Sequence, residues 1–206
     1  MKTIKAKRKH SVTEAAETIL EDGVIIYPTE TIYGLGANAL EAKTVERVYD
    51  IKKRKKSNPI LVLIPDNSVL DELTLEVPEA AKTLMSKFWP GPLTIVFNAA
   101  PIVSKILTAG SGTIGIRLSS DEFCTELLGI CKIPITSTSA NLSGEANPNS
   151  IAMINRKVLE SVDLIVDAGT LTSQTPSTVV DVTKGKVELV REGTIEFKEI
   201  LALIQK

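Results

Sequence analysis

Short apolar runs alternate with longer amphipathic stretches along most of the chain. The short runs are typical of buried strands, and they predict strands at residues 24–27, 60–64, 93–97, 113–118, 133–137, 162–166, 178–182 and 187–190. Helical spacing of apolar residues, with proline and glycine at the ends, predicts helices at residues 11–22, 41–53, 78–90 and 195–204 and one that carries both cysteines. Capping-box pairs, Ser11 with Glu14 and Ser119 with Glu122, are expected to open two of the helices.

This mixture of helices and strands predicts an α/β layered fold. A short Lys-Gly turn separates the last two predicted strands, which favours an antiparallel hairpin and therefore a mixed sheet. The sequence contains no linker or repeat, so we expect one domain covering residues 1–206. The longest irregular polar stretch, residues 140–149, is a candidate functional loop.

Composition narrows the possible chemistry more than the class of fold. The 206 residues are 43% hydrophobic and 24% charged, which is ordinary for a globular protein. The formal net charge of −1 provides no global field that would attract nucleic acid or a membrane. His10 is the single histidine, which excludes a zinc site built on several histidines and limits any Ser-His-Asp triad to that one residue. We therefore expect chemistry without imidazole.

Cys124 and Cys131 are seven residues apart on a predicted helix, as expected for two small core residues. The basic stretch at residues 2–10 is followed by no apolar segment that would make a secretory signal. The longest apolar runs, such as residues 60–64, are too short to cross a bilayer. A cytoplasmic protein without membrane contacts is the expectation.

Two glycine patterns imitate dinucleotide-binding fingerprints. Residues 110–115 form a literal GxGxxG, but a predicted strand follows where the fingerprint requires a helix. Residues 34–39 fit GxGxxA, but six residues separate them from the preceding strand, and the acidic residue expected about twenty positions later is missing. An NAD-dependent oxidoreductase would rest on this second pattern alone. A GxxxxGK[ST] phosphate loop is also missing from the sequence.

Residues 52–56, here called the basic segment, read Lys-Lys-Arg-Lys-Lys. Charge alone favours a solvated helix end, where cations stabilise the negative pole of the helix dipole. However, the segment lies directly before a polar turn and a predicted strand. This placement allows one or two of its cations to reach over the sheet edge while the others stay in water.

Polar residues also follow or open three predicted strands, at residues 28–31, 137–141 and 177–178. Turns and caps are the commonest use of such residues. Arg117 within an apolar strand and Arg191 at the end of another are less easily explained in that way, because a buried arginine without an anion is costly. If these cations converge, they imply acidic partners or a bound polyanion.

At these residues the chain resembles the YrdC-type threonylcarbamoyl-AMP synthase family, over essentially its whole length. The motifs that carry the resemblance are residues 27–36, Lys52-x-Arg54, residues 88–94, residues 114–117, residues 137–141 with their Ser-x-Asn, and residues 177–181. One departure is Lys55, where the family often has proline. The chain stops just after its last predicted helix and so resembles the short, single-domain form.

The resemblance implies a twisted, mixed open sheet with flanking helices around a cationic cavity. It also implies a nucleotidyltransferase that joins L-threonine, bicarbonate or CO2, and ATP with Mg²⁺ into threonylcarbamoyl-AMP and pyrophosphate. The product would serve threonylcarbamoyladenosine formation at position 37 of tRNA, through downstream transfer proteins. Such chemistry needs positioning and charge rather than an imidazole base.

The resemblance also assigns residues to the two substrates. Threonine would be bound by Thr29, Leu61, Arg117, Ser137 and Ser177. ATP would be bound by Lys52, Arg54, Lys56, Thr113, Ser139, Asn141, Asn147 and Arg191, with Lys52, Arg54, Ser139 and Asn141 as the catalytic set and no protein metal ligand. The length and polarity of residues 140–149 suggest that this loop closes over ATP.

An alternative of another class is a structured-RNA-binding module, for tRNA or double-stranded RNA, that uses the basic segment and the basic N-terminus. Only eight residues are aromatic and the net charge is close to zero, and both facts oppose RNA as the main ligand.

Overall fold

The computed structural model describes residues 2–204. Its strands are β1 (Lys2–Lys5), β2 (Ile25–Tyr27), β3 (Gly34–Gly36), β4 (Leu61–Leu63), β5 (Leu93–Asn98), β6 (Thr113–Arg117), β7 (Ile135–Ser139), β8 (Leu164–Asp167), β9 (Thr178–Asp181) and β10 (Glu188–Arg191). Its helices are α1 (Ser11–Leu20), α2 (Ala42–Lys52), α3 (Leu70–Leu73), α4 (Glu79–Phe88), α5 (Glu122–Cys131), α6 (Arg156–Glu160) and α7 (Phe197–Ile204), with short 3-10 turns at Asn67–Val69 and Ile151–Met153.

The strands form one mixed, open sheet in the order β1-β8-β2-β3-β7-β4-β6-β5-β9-β10. Four neighbouring pairs are parallel: β1 with β8, β2 with β8, β4 with β6, and β5 with β9. The predicted hairpin of β9 and β10 is antiparallel. β7 is antiparallel to β3 on one side and to β4 on the other, and so joins the two halves of the sheet. The predicted α/β class and mixed sheet are confirmed.

Helices cover both faces of the sheet, which explains why the buried strands read as continuous apolar runs. Ile25 and Tyr27 pack with α1 and α5 on one face, whereas Val24 and Ile26 belong to the larger core on the other face. Cys124 and Cys131 are buried in the α1–α5 layer as free thiols, which confirms their prediction as core residues. In the described part of the chain, no helix has both the length and the apolar character needed to cross a membrane.

Two strands were not predicted, β1 and β3. In β1 only Ile4 is buried, so the apolar signal of a strand is almost missing. In β3 the glycines read as a loop, but they permit a close approach: a Cβ at Gly36 would lie 2.8 Å from the Tyr27 ring. The two glycines that begin the GxGxxA pattern therefore belong to a strand, and the Tyr27 ring packs against them.

Both predicted capping boxes are wrong. Ser11 lies inside the first turn of α1, and its hydroxyl donates to the Ala6 carbonyl at 2.5 Å rather than capping the helix. Asp121 caps α5 by accepting from the Cys124 amide at 3.0 Å. Ser119 lies two residues before this cap, where its hydroxyl accepts from the Asp121 amide at 3.2 Å and donates to a carboxylate from a distant loop, described below.

Candidate active site

A small, mostly polar cavity of about 100 Å³ lies on one face of the sheet where β4, β6 and β7 meet. It is smaller than the roughly 300–1,000 Å³ of typical drug-sized ligand sites. Its lining contains a majority of the residues assigned from sequence: Thr29, Arg54, Leu61, Arg117, Ser137, Ser139, Asn147, Ser177 and Arg191. A ligand the size of an amino acid would fit inside it, and a larger ligand would have to extend from its mouth.

Strand register explains how distant segments supply this lining. β4 pairs with β6 so that Leu63 lies beside Arg117, and with β7 so that Leu61 lies beside Ser137. Alternate residues of a strand share a face, so Gly115 of β6 lies on the same face as Arg117. Thr113 is on that face too, about 13 Å from Arg117 along β6, and it does not line the cavity.

Arg117 is the most enclosed cation of the cavity, at 4% exposure. Its Nη1 donates to Glu30 Oε1 at 2.5 Å, and its Nη2 donates to Ser137 Oγ at 3.3 Å. The other Glu30 oxygen accepts from Ser119 Oγ at 2.5 Å. Glu30 was not assigned a role from sequence, although it lies in the 28–31 segment. The signal that could have found it is the requirement of a buried arginine for an anion.

Arg54 and Arg191 reach the cavity without a carboxylate partner within 4 Å among residues 2–204. Arg54 donates to the backbone carbonyls of Asn58 and Pro59, at 3.0 and 2.9 Å. Arg191 Nη2 donates to the Ser177 carbonyl at 2.9 Å. Burial, followed by the charges of Arg117 and Arg54, lowers the pKa of Arg191. The cations do converge, and one of the three is neutralised by an acid.

The basic segment divides between the interior and solvent, as its placement predicted. Lys52 ends α2 and is 1% exposed, and Arg54 is partly buried. Lys53 takes a left-handed conformation, with φ 48°, that ends the helix, and its side chain is exposed. Lys55 and Lys56 are exposed as well, and Lys56 Nζ lies 3.8 Å from Glu46 rather than on the cavity wall.

Lys52 holds the residues that follow β7. Its Nζ donates to the Ser139 carbonyl, to the Asn141 carbonyl at 2.9 Å and to Asn141 Oδ1 at 2.8 Å. Burial and the nearby Arg54 charge lower the pKa of Lys52 to about 7. The three oxygen acceptors match the three protons of an ammonium group. Lys52 and Asn141 therefore lie behind the cavity wall, and Ser139 forms part of it.

Asn141 fixes the start of the 140–149 loop. Its Oδ1 also accepts from Ser139 Oγ at 2.7 Å, and its Nδ2 donates to the carbonyls of Glu145 and Ala146 at 2.8 and 3.0 Å. The loop contains no helix or strand, as predicted, and its Asn147 reaches the cavity. A single amide side chain thus connects β7, α2 and the loop.

Hydroxyl groups complete the opposite wall. Thr29 Oγ1 donates to the Ile32 carbonyl at 2.8 Å and lies 2.9 Å from Thr31 Oγ1. Ser177 Oγ lies 2.8 Å from Thr94 Oγ1. Thr31 and Thr94 also line the cavity and were not assigned from sequence, because single threonines in strands and turns carry no distinctive signal.

The cavity does not offer the ligands of a resident magnesium ion. Among residues 2–204, no three His, Cys, Asp or Glu side chains are grouped so that they could hold a metal ion. Magnesium prefers carboxylate oxygens and phosphates, whereas this lining is cationic and hydroxylic. The described lining therefore does not fit a metal ion held by the protein alone.

Comparison with known proteins gives consistent matches along the chain. The family model for Sua5, YciO and YrdC, described as telomere recombination, matches residues 17–193. Threonylcarbamoyl-AMP synthase of Pyrococcus abyssi (strain GE5 / Orsay) is 36% identical over 92% of this chain, which spans 56% of that relative. A putative threonylcarbamoyl-AMP synthase of Methanocaldococcus jannaschii is 34% identical over 94% of this chain and 91% of its own length.

A solved structure resembles the whole described fold. The crystal structure of Pyrococcus abyssi Sua5 complexed with L-threonine has a TM-score of 0.91 and 34% identity, and covers 98% of this chain. This chain spans 60% of that protein. The chain is therefore similar to little more than half the length of both Pyrococcus abyssi proteins.

Proposed function

The chain belongs to the family of Sua5, YciO and YrdC proteins, and we propose that it synthesises threonylcarbamoyl-AMP from L-threonine, bicarbonate or CO2, and ATP. The observation that carries the proposal is the convergence of Arg54, Arg117 and Arg191 on one cavity with a single acidic partner, Glu30. The names of the relatives and the L-threonine bound to one of them support this choice of ligands.

Threonine is proposed to occupy the inner part of the cavity, beside Arg117. A guanidinium is suited to bidentate contact with a carboxylate, which lysine cannot reproduce. Glu30 holds Nη1 from behind and fixes the direction of the guanidinium. Thr29, Ser137 and Ser177 supply hydroxyls around the amino acid, and Leu61 supplies apolar surface.

ATP is proposed to extend from the mouth of the cavity toward Thr113 and the start of the 140–149 loop. Arg54 and Arg191 are the cations without acidic partners there, and Ser139 and Asn147 line the same region. Lys52 and Asn141 support Ser139 from behind, and Lys56 would contact the nucleotide only if its exposed side chain turned inward. Along β6 the proposed order is threonine at Arg117 and nucleotide toward Thr113.

The proposed reaction requires no protein nucleophile. The amine of threonine attacks CO2 to form a carbamate and releases a proton. A carbamate oxygen then attacks the α-phosphorus of ATP, and the bond to the β-phosphate oxygen breaks to release pyrophosphate. The arginines offset the negative charge of the threonine carboxylate, the carbamate and the triphosphate in a partly enclosed site. This is the main catalytic contribution expected of the protein. Mg²⁺ accompanies ATP as part of the substrate.

The destination of the product extends the same proposal. Threonylcarbamoyl-AMP would be used for modification of position 37 in tRNA by downstream transfer proteins in the cytoplasm. Direct binding of RNA is not required for the chemistry in the cavity.

Product detection tests the proposed function. The protein is mixed with threonine, bicarbonate and Mg-ATP, and threonylcarbamoyl-AMP is sought by mass spectrometry together with pyrophosphate. We expect both products, and neither when threonine or bicarbonate is omitted. Arg117→Met should abolish them, whereas Arg156→Met, which alters an exposed ion pair with Glu160, should not. Pyrophosphate release that ignores the omission of threonine contradicts the proposal.

A further inference from the structure

Gly115 of β6 lies against Leu61 and Thr94, two residues of the cavity wall, at a position where a side chain is sterically excluded. A Cβ at Gly115 would lie 2.3 Å from Leu61 Cδ2 and 3.4 Å from Thr94 Cγ2. Real Cβ atoms essentially never approach another atom below 3.0 Å, so Leu61 occupies the space that any other residue at 115 would need. Gly115 is also the last glycine of the GxGxxG pattern, and its place within β6 excludes a phosphate-binding turn.

Leu61 is flanked on both sides by neighbouring strands, and its side chain faces the cavity. The sheet lies behind Leu61, Ser137 of β7 is its neighbour on one side, and Gly115 of β6 is its neighbour on the other. Leu61 lines the cavity, and the end of its side chain can move by rotation about its side-chain bonds. A methyl group at position 115 would therefore push the Leu61 side chain outward, into the space proposed for the amino acid.

We infer that Gly115 determines amino-acid specificity, because it gives Leu61 a recess and thereby leaves room for the methyl group of threonine. The inference rests on the proposed function and adds to it a residue that sets the size of the side-chain site. Arg117 and Ser137 hold the polar part of the amino acid, whereas the Gly115–Leu61 pair limits the apolar part. Leu61 contacts the substrate, and Gly115 acts through Leu61 as a positioning residue.

Substitution at the two positions should move specificity in opposite directions. Gly115→Ala should lower kcat/KM for L-threonine about tenfold more than for L-serine, which lacks the methyl group; one methylene in such a pocket is worth about 10–200-fold. Leu61→Ala should raise the kcat/KM of L-3-hydroxynorvaline, which has one methylene more, about tenfold relative to L-threonine. Adding Leu61→Ala to Gly115→Ala should restore the wild-type threonine-to-serine ratio to within about threefold. The KM for ATP should stay unchanged in all three.

The experiment measures product formation with the three amino acids, and threonine binding by calorimetry without ATP. Gly129→Ala is the matched control, because a Cβ there meets nothing within 4 Å and the residue is exposed on the outer side of α5. Equal losses for threonine and serine in Gly115→Ala overturn the inference. If that variant does not fold, an unchanged hydroxynorvaline ratio in Leu61→Ala overturns it instead.

Measurements on the wild-type protein distinguish failure of the inference from failure of the proposed function. Wild-type protein that neither binds threonine nor forms product contradicts both. Wild-type protein that is active and binds threonine, with amino-acid ratios that the variants leave unaltered, contradicts only the role of Gly115.

Discussion

Removal of either partner of the Arg117–Glu30 ion pair is expected to destabilise the fold strongly. Nη1 and Oε1 are 2.5 Å apart, and the two side chains are 5% and 15% exposed. With the charge centres about 4 Å apart and an effective dielectric constant of about 20, the attraction is about 4 kcal/mol. Arg117→Met or Glu30→Met leaves the other charge buried without its partner. Each should lower the free energy of unfolding by about 3–5 kcal/mol.

The double variant identifies the cause of this loss. Arg117→Met combined with Glu30→Met leaves no unpaired charge, so it should cost no more than the more damaging single variant. The free energy of unfolding is measured by urea denaturation at pH 7 with linear extrapolation. The exposed Lys82–Glu79 pair, at 2.6 Å with 58% and 87% exposure, is the matched control, and its variants should differ little from the wild type.

Two results would refute this reasoning. Single variants that each lose less than about 1 kcal/mol would mean that water or other groups solvate the remaining charge, as at a surface pair. A double variant whose loss equals the sum of the single losses would mean that the two side chains do not interact.

Three further predictions concern the basic segment and the adjacent loop. Because the pKa of Lys52 is lowered to about 7 from 10.5, its stabilising contribution is fully present above pH 10.5 and is lost as the pH falls to about 7. The free energy of unfolding should therefore rise more steeply between pH 7 and 9 in wild type than in Lys52→Met, by at most about 1.4 kcal/mol per pH unit; equal slopes would contradict the shift. If the exposed cations bind structured RNA, Lys53→Glu with Lys55→Glu should weaken binding and reduce its salt dependence, with ATP affinity unchanged; unaltered RNA binding would exclude these contacts. If the loop at residues 140–149 closes over ATP, limited proteolysis there should slow when threonine and ATP are present together, and equal cleavage rates would contradict closure.

The sequence predicted the elements whose signal is local. Apolar runs located the buried strands to within a few residues, because burial on both faces of the sheet demands continuous hydrophobicity. The sequence also predicted that the basic segment divides between the interior and solvent. The segment lies between the end of a helix and a strand, so only some of its side chains can reach the sheet. The placement of Lys52 and Arg54 toward the interior follows from that geometry.

Features that depend on distant partners were beyond the sequence pattern. β3 is a strand because Tyr27 needs glycines beneath its ring, and nothing in residues 34–36 states that need. The hydrogen bond from Ser119 to Glu30, 89 positions away, is likewise a long-range contact that no local pattern indicates. The substrate roles assigned to individual residues stay predictions, although the structure gathers a majority of them in one cavity.

The position of β7 between the two halves of the sheet has a consequence for hydrogen exchange. Its backbone pairs with β3 on one side and β4 on the other, so its amides cannot be released by fraying from an edge. We expect the amides of residues 135–139 to exchange with solvent only when the whole domain unfolds. Ser137 and Ser139 would then be held in place with the full stability of the fold.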